Sequence, residues 1–275
     1  MRTVRIVAVG VVIAVLAAGG IIGFQIDSSN RQTDYVVGSD DANRVELDVT
    51  LQRVDVTGRE LDLRIIPVMH GNLADGFDAV PVRDIEVDTS SLTSGTLRFK
   101  AHDRVSLQDV RIGVDDGLVS SYPFDSYSAA IGFYVTAGDQ NVPVSLRFRG
   151  YDALFTAAAT DAEWRSGVLK ANVAAGRTFS SLVLAWFLMI AMWALALSVL
   201  GAALTIVSKG MGLVWPAMGW MAATLFALVG FRNAAPGSPP IGGLIDYGAF
   251  FWAELLTTAA LVYVTVHGIR RARLA

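Results

Sequence analysis

From Phe179 to Val207 the chain runs for roughly thirty residues without one charged side chain, whereas a bilayer's hydrocarbon core needs only about twenty in a helix. No other feature restricts the surrounding protein as much. In lipid every backbone N–H and C=O must be satisfied internally, so a lone spanning run has to be helical. Arg177 precedes the run and Lys209 follows it. Two more apolar segments, Met211–Phe231 and Tyr247–Val266, come later, and Ile6–Phe24 lies near the start. Four transmembrane helices, one N-terminal and three C-terminal, are the expectation.

Charge is sorted along the chain as sharply as hydropathy. Of the 25 acidic residues only Asp246 and Glu254 fall outside Gln25–Gly176, and the formal net charge is −3. Arg2, Arg5, Lys209, Arg270, Arg271 and Arg273 occupy the short ends and the tight Ser208–Gly210 loop. Lys and Arg are retained on the cytoplasmic side of multi-span proteins. A multi-pass protein of the plasma (inner) membrane is expected, with cytoplasmic N- and C-termini and residues 26–176 extracytoplasmic. For the first apolar segment a retained anchor is favoured over a cleaved signal. Its run continues through Ile21, Ile22 and Phe24, beyond the small residues Ala17–Gly20 that a cleavage site would use.

The polar middle reads as strands. Residues 1–25 form the anchor and 26–43 a linker rich in Asp, Ser, Asn and Gly. From there Val45, Leu47, Val49 and Leu51 alternate with Glu46, Asp48 and Thr50, the period of a half-buried strand. Leu61, Leu63 and Ile65 resume the pattern after the Thr57-Gly58 turn, predicting a hairpin over 44–67. Further strands are expected at 84–88, 96–101, 109–113, 129–136, 142–149 and 168–173. The fold class is α+β: an antiparallel β-sandwich over 44–176 beside a three-helix transmembrane domain over 177–275.

Within the middle region Tyr122, Pro123, Phe124, Asp125 and Tyr127 form a stiff, partly apolar loop. It reads either as a corner of the sandwich, with Asp125 bonding its own backbone, or as a contact loop at the junction with the membrane helices. The YPFDSY motif, the later FRNAAPGSPPIGGLID loop and the acid-bearing last span together resemble a bacterial membrane-protein family catalogued as domain of unknown function 4436. That resemblance implies an N-terminal span, an exported β-rich domain and three C-terminal spans, and carries no mechanism. Pro123, Phe124 and Asp125 are also similar to the Pro-Phe-Asp loop of pentameric ligand-gated channels. This chain departs from that pattern in having no flanking cysteines, three following spans instead of four, and no polar pore lining.

Glu254 is the ionisable group placed well inside a span, where a charge must face protein, meet a cation or be protonated. Arg232 is its nearest expected partner and Arg177 the second. Asp246, eight residues earlier on a similar helix face, is expected to share those arginines. Glu254, Arg232 and Asp246 thus form an expected intramembrane polar group, read as a structural ion pair, a proton or ion relay, or an oligomer contact.

The remaining chemistry is thin. His70, His102 and His267 lack the spacing of a zinc site. No G-x-S-x-G elbow occurs, no glycine-rich phosphate loop follows a strand, and the chain has no cysteine. Asp40-Asp41 and Asp115-Asp116-Gly117 read as acidic turns before they read as weak calcium sites. An acidic exported domain argues against nucleic acid. The expectation is a non-enzymatic envelope protein without cofactor or metal. Its helices sit in the lipid bilayer as anchor or assembly surface, and its sandwich is expected to take an envelope protein, lipid or glycan as partner. The alternative is a small transport or channel component built around Glu254.

Overall fold

The computed structural model describes residues 19–25, 35–76, 79–93 and 95–273. The chain divides into two compact units, one of residues up to Leu118 together with Asp125–Ser180, the other of Val119–Phe124 together with Ser181–Ala275. Most of the expected N-terminal span lies outside the described residues, which include only its helical end at 19–25.

The first unit is β-rich. Its strands are β1 (Tyr35–Gly38), β2 (Val45–Asp55), β3 (Glu60–Met69), β4 (Ile85–Thr89), β5 (Thr96–Phe99), β6 (Gln108–Gly113), β7 (Ser126–Ala137), β8 (Gln140–Asn141), β9 (Val144–Gly150), β10 (Phe155–Arg165) and β11 (Val168–Arg177). One sheet has the order β1-β9-β2-β3-β6, the other β10-β11-β7-β4-β5, with β8 paired to β7. Pairing is antiparallel except between β2 and β9, which run parallel with Val49 opposite Phe148. The all-antiparallel expectation is corrected there. The two strands are far apart in sequence, so no hairpin constrains their relative direction.

Alternation accounts for the core. Leu47, Val49, Leu51, Leu61, Leu63, Ile65, Leu146 and Phe148 are buried in one sheet, and Ile85, Val87, Ile131, Phe133, Val135 and Val173 in the other. A bulge between Leu51 and Arg53 inserts one residue into β2. Burial therefore switches from the odd positions Val45–Leu51 to Val54, because an extra residue changes the parity of the faces.

Two strands depart from the sequence expectation. Residues 35–38, expected in a linker, form β1, which pairs antiparallel with β9. β10 was not anticipated because FTAAATDAEWR lacks β-branched periodicity. Its buried positions are Phe155, Ala157 and Ala159, and alanine carries little strand preference. Pairing along β11 holds it.

The second unit contains three long helices, α1 (Phe179–Ser208), α2 (Trp215–Asn233) and α3 (Phe251–Ala272), with a π turn at Asp246–Phe250 leading into α3. The segments Phe179–Ser208 and Asp246–Ala272 are long and apolar enough to cross a membrane. Four such spans are therefore not supported among the described residues. α2 is a 19-residue helix, but Trp215, Pro216, Gly219, Arg232 and Asn233 dilute its apolar content. It starts four residues after the expected Met211, with Pro216 in its first turn, where a missing N–H breaks no helical bond.

Candidate functional site

The Tyr122–Tyr127 segment is divided between the units. Val119–Phe124 groups with the helices, whereas Asp125 and Tyr127 belong to the β unit. Tyr122 is fully buried in a cluster with Ala185, Leu188, Met189, Leu228, Ala235 and Ile245. The turn is closed by Tyr122 N–H donating to the Val119 carbonyl and Phe124 N–H to Ser121. The Tyr122–Pro123 peptide is cis. Phe124 is exposed and meets Trp186 edge-on, their centroids 6.3 Å apart.

On the β side, Asp125 takes part in a closed polar group. The Arg177 guanidinium donates to both carboxylate oxygens, Nε to Oδ1 at 3.0 Å and Nη2 to Oδ2 at 2.9 Å. The Tyr127 hydroxyl donates to Oδ2 at 2.8 Å. Arg177 also lies 4.2 Å over the Phe155 ring, which Tyr127 touches edge-on at 5.7 Å. Both charged side chains are at most 2% exposed. A planar fork on a carboxylate is the geometry in which arginine is strongest. Burial, with the Asp125 carboxylate beside it, pushes the Tyr127 phenol well above its ordinary range. Arg177 therefore serves Asp125 and not Glu254, the role the sequence had suggested for it.

The second polar group closes the loop between α2 and the π turn. Arg232 Nε donates to Asp246 Oδ1 at 2.9 Å and Nη2 to Oδ2 at 3.0 Å. Nη1 also donates to the Pro239 carbonyl and Nη2 to the Pro240 carbonyl, each at 2.9 Å. Gly242 N–H adds a bond to Asp246 Oδ2 at 2.7 Å. The prolines matter because they present carbonyls without competing N–H groups. One guanidinium thus satisfies a carboxylate and two turn carbonyls at once, away from water.

Glu254 stands apart from that lock. Its Oε1 is buried, and among the described residues it has no hydrogen-bond partner. The shared arrangement expected of Glu254, Asp246 and Arg232 is therefore corrected to an Arg232–Asp246 pair with Glu254 outside it. Arg232 is bonded to Asp246 and the two carbonyls, and among the described residues it does not bond the Glu254 Oε1. Thr257, one turn on from Glu254 and fully buried, also has a hydroxyl with no partner among the described residues. Sequence reading missed Thr257, since threonine in an apolar helix normally bonds back to its own backbone. Thr205, Thr224 and Thr265 do so here at 2.8–3.0 Å.

Elsewhere the polar side chains hold the β unit together. Glu46, 6% exposed, faces Arg147 at 3.2 Å, His70 at 3.4 Å and Arg44 at 3.6 Å. Asp48 pairs with Arg149. Asp152 accepts backbone N–H bonds from Val54, Leu154 and Phe155, fixing the chain beside the β2 bulge. His102 contacts Asp75 at 2.6 Å on the surface. The acidic turns cap backbone: Asp41 accepts from Asn43, Asp115 from Ala130 and Asp116 from Gly117.

No curated protein matches the chain. A second model, described as Domain of unknown function (DUF8686), matches residues 177–271, the helical part. The β-rich part, residues 35–175, matches the model described as Domain of unknown function (DUF4436), and the chain belongs to that family.

Proposed function

We propose that this is a non-enzymatic, multi-pass protein of the plasma (inner) membrane, whose β unit is displayed outside the cell and serves assembly with an envelope partner. The observation that carries the reading is the outer surface of the helical unit, which is bulky and apolar, while small residues line much of its interior. Ala185, Ala196, Ala203, Ala253, Ala260 and Gly268 are buried between the helices. Phe187, Ile190, Phe226, Trp252, Leu255 and Tyr263 point outward, Phe226 being 81% exposed. Water would drive those large groups inward, whereas in lipid small residues line helix contacts so that backbones approach closely. The indole N–H of Trp193, away from the ends of α1, finds the Gly248 carbonyl at 3.0 Å, as an apolar surrounding requires.

Two features support an interaction role for the β unit. Its buried carboxylates Glu46, Asp125 and Asp152 are held by arginines or backbone N–H groups, an arrangement that fixes structure. Its outer surface carries exposed leucines beside edge strand β6. Leu92, 62% exposed, lies over Gly113 at one end, and Leu107, 55% exposed, precedes the other. Edge strands are natural docking sites for a further strand or loop.

The test uses the cysteine-free background. A cysteine at Leu92 should react with a membrane-impermeant maleimide in intact cells, and one at Lys209 only after permeabilisation. Joint Leu92→Arg and Leu107→Arg substitution should leave the thermal transition unchanged while removing the protein from its native membrane complex on a blue-native gel. Labelling at Lys209 in intact cells would overturn the topology. An unchanged complex would overturn the docking role.

A further inference from the structure

We propose that Glu254 and Thr257 form a proton-binding site inside the helical unit, separate from the Arg232–Asp246 lock. The two residues lie three apart on α3, hence on one face. That face is the buried seam Ala249, Ala253, Thr257, Ala260 and Val264, with Glu254 on its flank. Leu228 shares a buried cluster with Ala253, and Met221 shares the next with Ala260. This antiparallel register puts Thr224 of α2 level with Thr257. The Thr224 hydroxyl is already bonded to the Trp220 carbonyl, so the oxygens of Glu254 and Thr257 remain for a ligand.

The charge surroundings are defined by every element packed on this seam. α1 brings no ionisable side chain. α2 brings only Arg232, whose hydrogen bonds go to Asp246, Pro239 and Pro240. The Val119–Phe124 segment brings Tyr122, the π turn brings Asp246 and Tyr247, and α3 itself brings Tyr263 and, at its far end, His267, Arg270 and Arg271. Among the described residues no cation pairs with Glu254, and a carboxylate among apolar side chains needs one. Calcium takes six to eight oxygen ligands and magnesium a full octahedron, more than two side chains offer. A proton needs one. It adds from water to Oε1, forming an O–H bond and removing the negative charge without breaking any bond in the protein, and the Thr257 hydroxyl accepts the new O–H.

The experiment is carbodiimide labelling of the full chain in phosphatidylcholine vesicles. Dicyclohexylcarbodiimide, which partitions into lipid, converts a protonated carboxyl to a stable acylurea, located by peptide mass. Glu254 should be modified near neutral pH, more slowly as the pH rises, and spared by a water-soluble carbodiimide. Thr257→Val should slow labelling by between about two- and tenfold, the worth of one hydrogen bond, while Thr258→Val, on the exposed side, leaves it unchanged. Labelling of wild-type protein needs no variant to fold. Absence of modification at every pH, equal modification by the water-soluble reagent, protection by sodium chloride, or an unaltered rate in Thr257→Val would each overturn the proposal.

Discussion

Replacing Arg232 with methionine tests how strongly the polar lock holds the helical unit. The substitution keeps most of the side-chain length and removes four hydrogen bonds, two to Asp246 and one each to the Pro239 and Pro240 carbonyls. It leaves the Asp246 carboxylate, 0% exposed, with backbone N–H donors such as Gly242 but no counterion. Breaking a buried ion pair from one side costs about 3–5 kcal/mol, because the surviving charge loses its counterion without regaining water. Asp246→Leu alone should be similarly severe. The double variant should be less destabilised than the sum of the two by about 1–3 kcal/mol, since neither charge is then stranded. Equilibrium unfolding in mixed detergent micelles, followed by tryptophan fluorescence, reads this out, as five of the six tryptophans lie after Ser181. A cost below about 1 kcal/mol for Arg232→Met, the range of exposed pairs, or additivity in the cycle, would refute the reasoning.

Other perturbations have equally definite outcomes. Tyr127→Phe should destabilise the β unit by about 1.5–3 kcal/mol, the worth of a hydrogen bond to a charged group. In the wild type the Tyr127 phenol should stay protonated past the usual tyrosine range. Its contribution is complete below the unfolded pKa and is lost as pH rises toward the folded one, visible as one delayed phenolate in an ultraviolet titration that Tyr127→Phe removes. At the surface, the Arg64 hydrogen bond holds the Asp109 carboxyl below its usual range. That stability is present above the unfolded Asp pKa and lost as pH falls through the folded one, and Asp109→Asn should change the neutral-pH transition by less than about 1 kcal/mol. Gly38→Ala should destabilise more than the Asp109 change. Its φ of +120° is unfavourable for a side chain, and a Cβ would sit 2.6 Å from the Val144 carbonyl oxygen and 2.8 Å from Ser145 Cα. Thermal melts of the purified chain would show it.

Hydropathy and alternation alone determined a great deal. The uncharged run could only be a helix, and the period-two pattern in Val45–Leu51 and Leu61–Ile65 could only bury one face, because both follow from backbone geometry within a few residues. What lay beyond the sequence was partner choice. Arg177 bonds Asp125 instead of Glu254, Arg232 bonds Asp246 and two proline carbonyls, and β9 lies parallel to β2. Each is a contact between distant residues, selected by packing that brings one candidate within 3 Å and leaves another unsatisfied. β1 and β10 became strands for the same reason: their own residues carry too weak a preference, and the ladders of β9 and β11 supply it. Thr257 is the clearest instance. Its local sequence offers the ordinary backbone bond, and in the packed seam its hydroxyl is buried without a partner among the described residues.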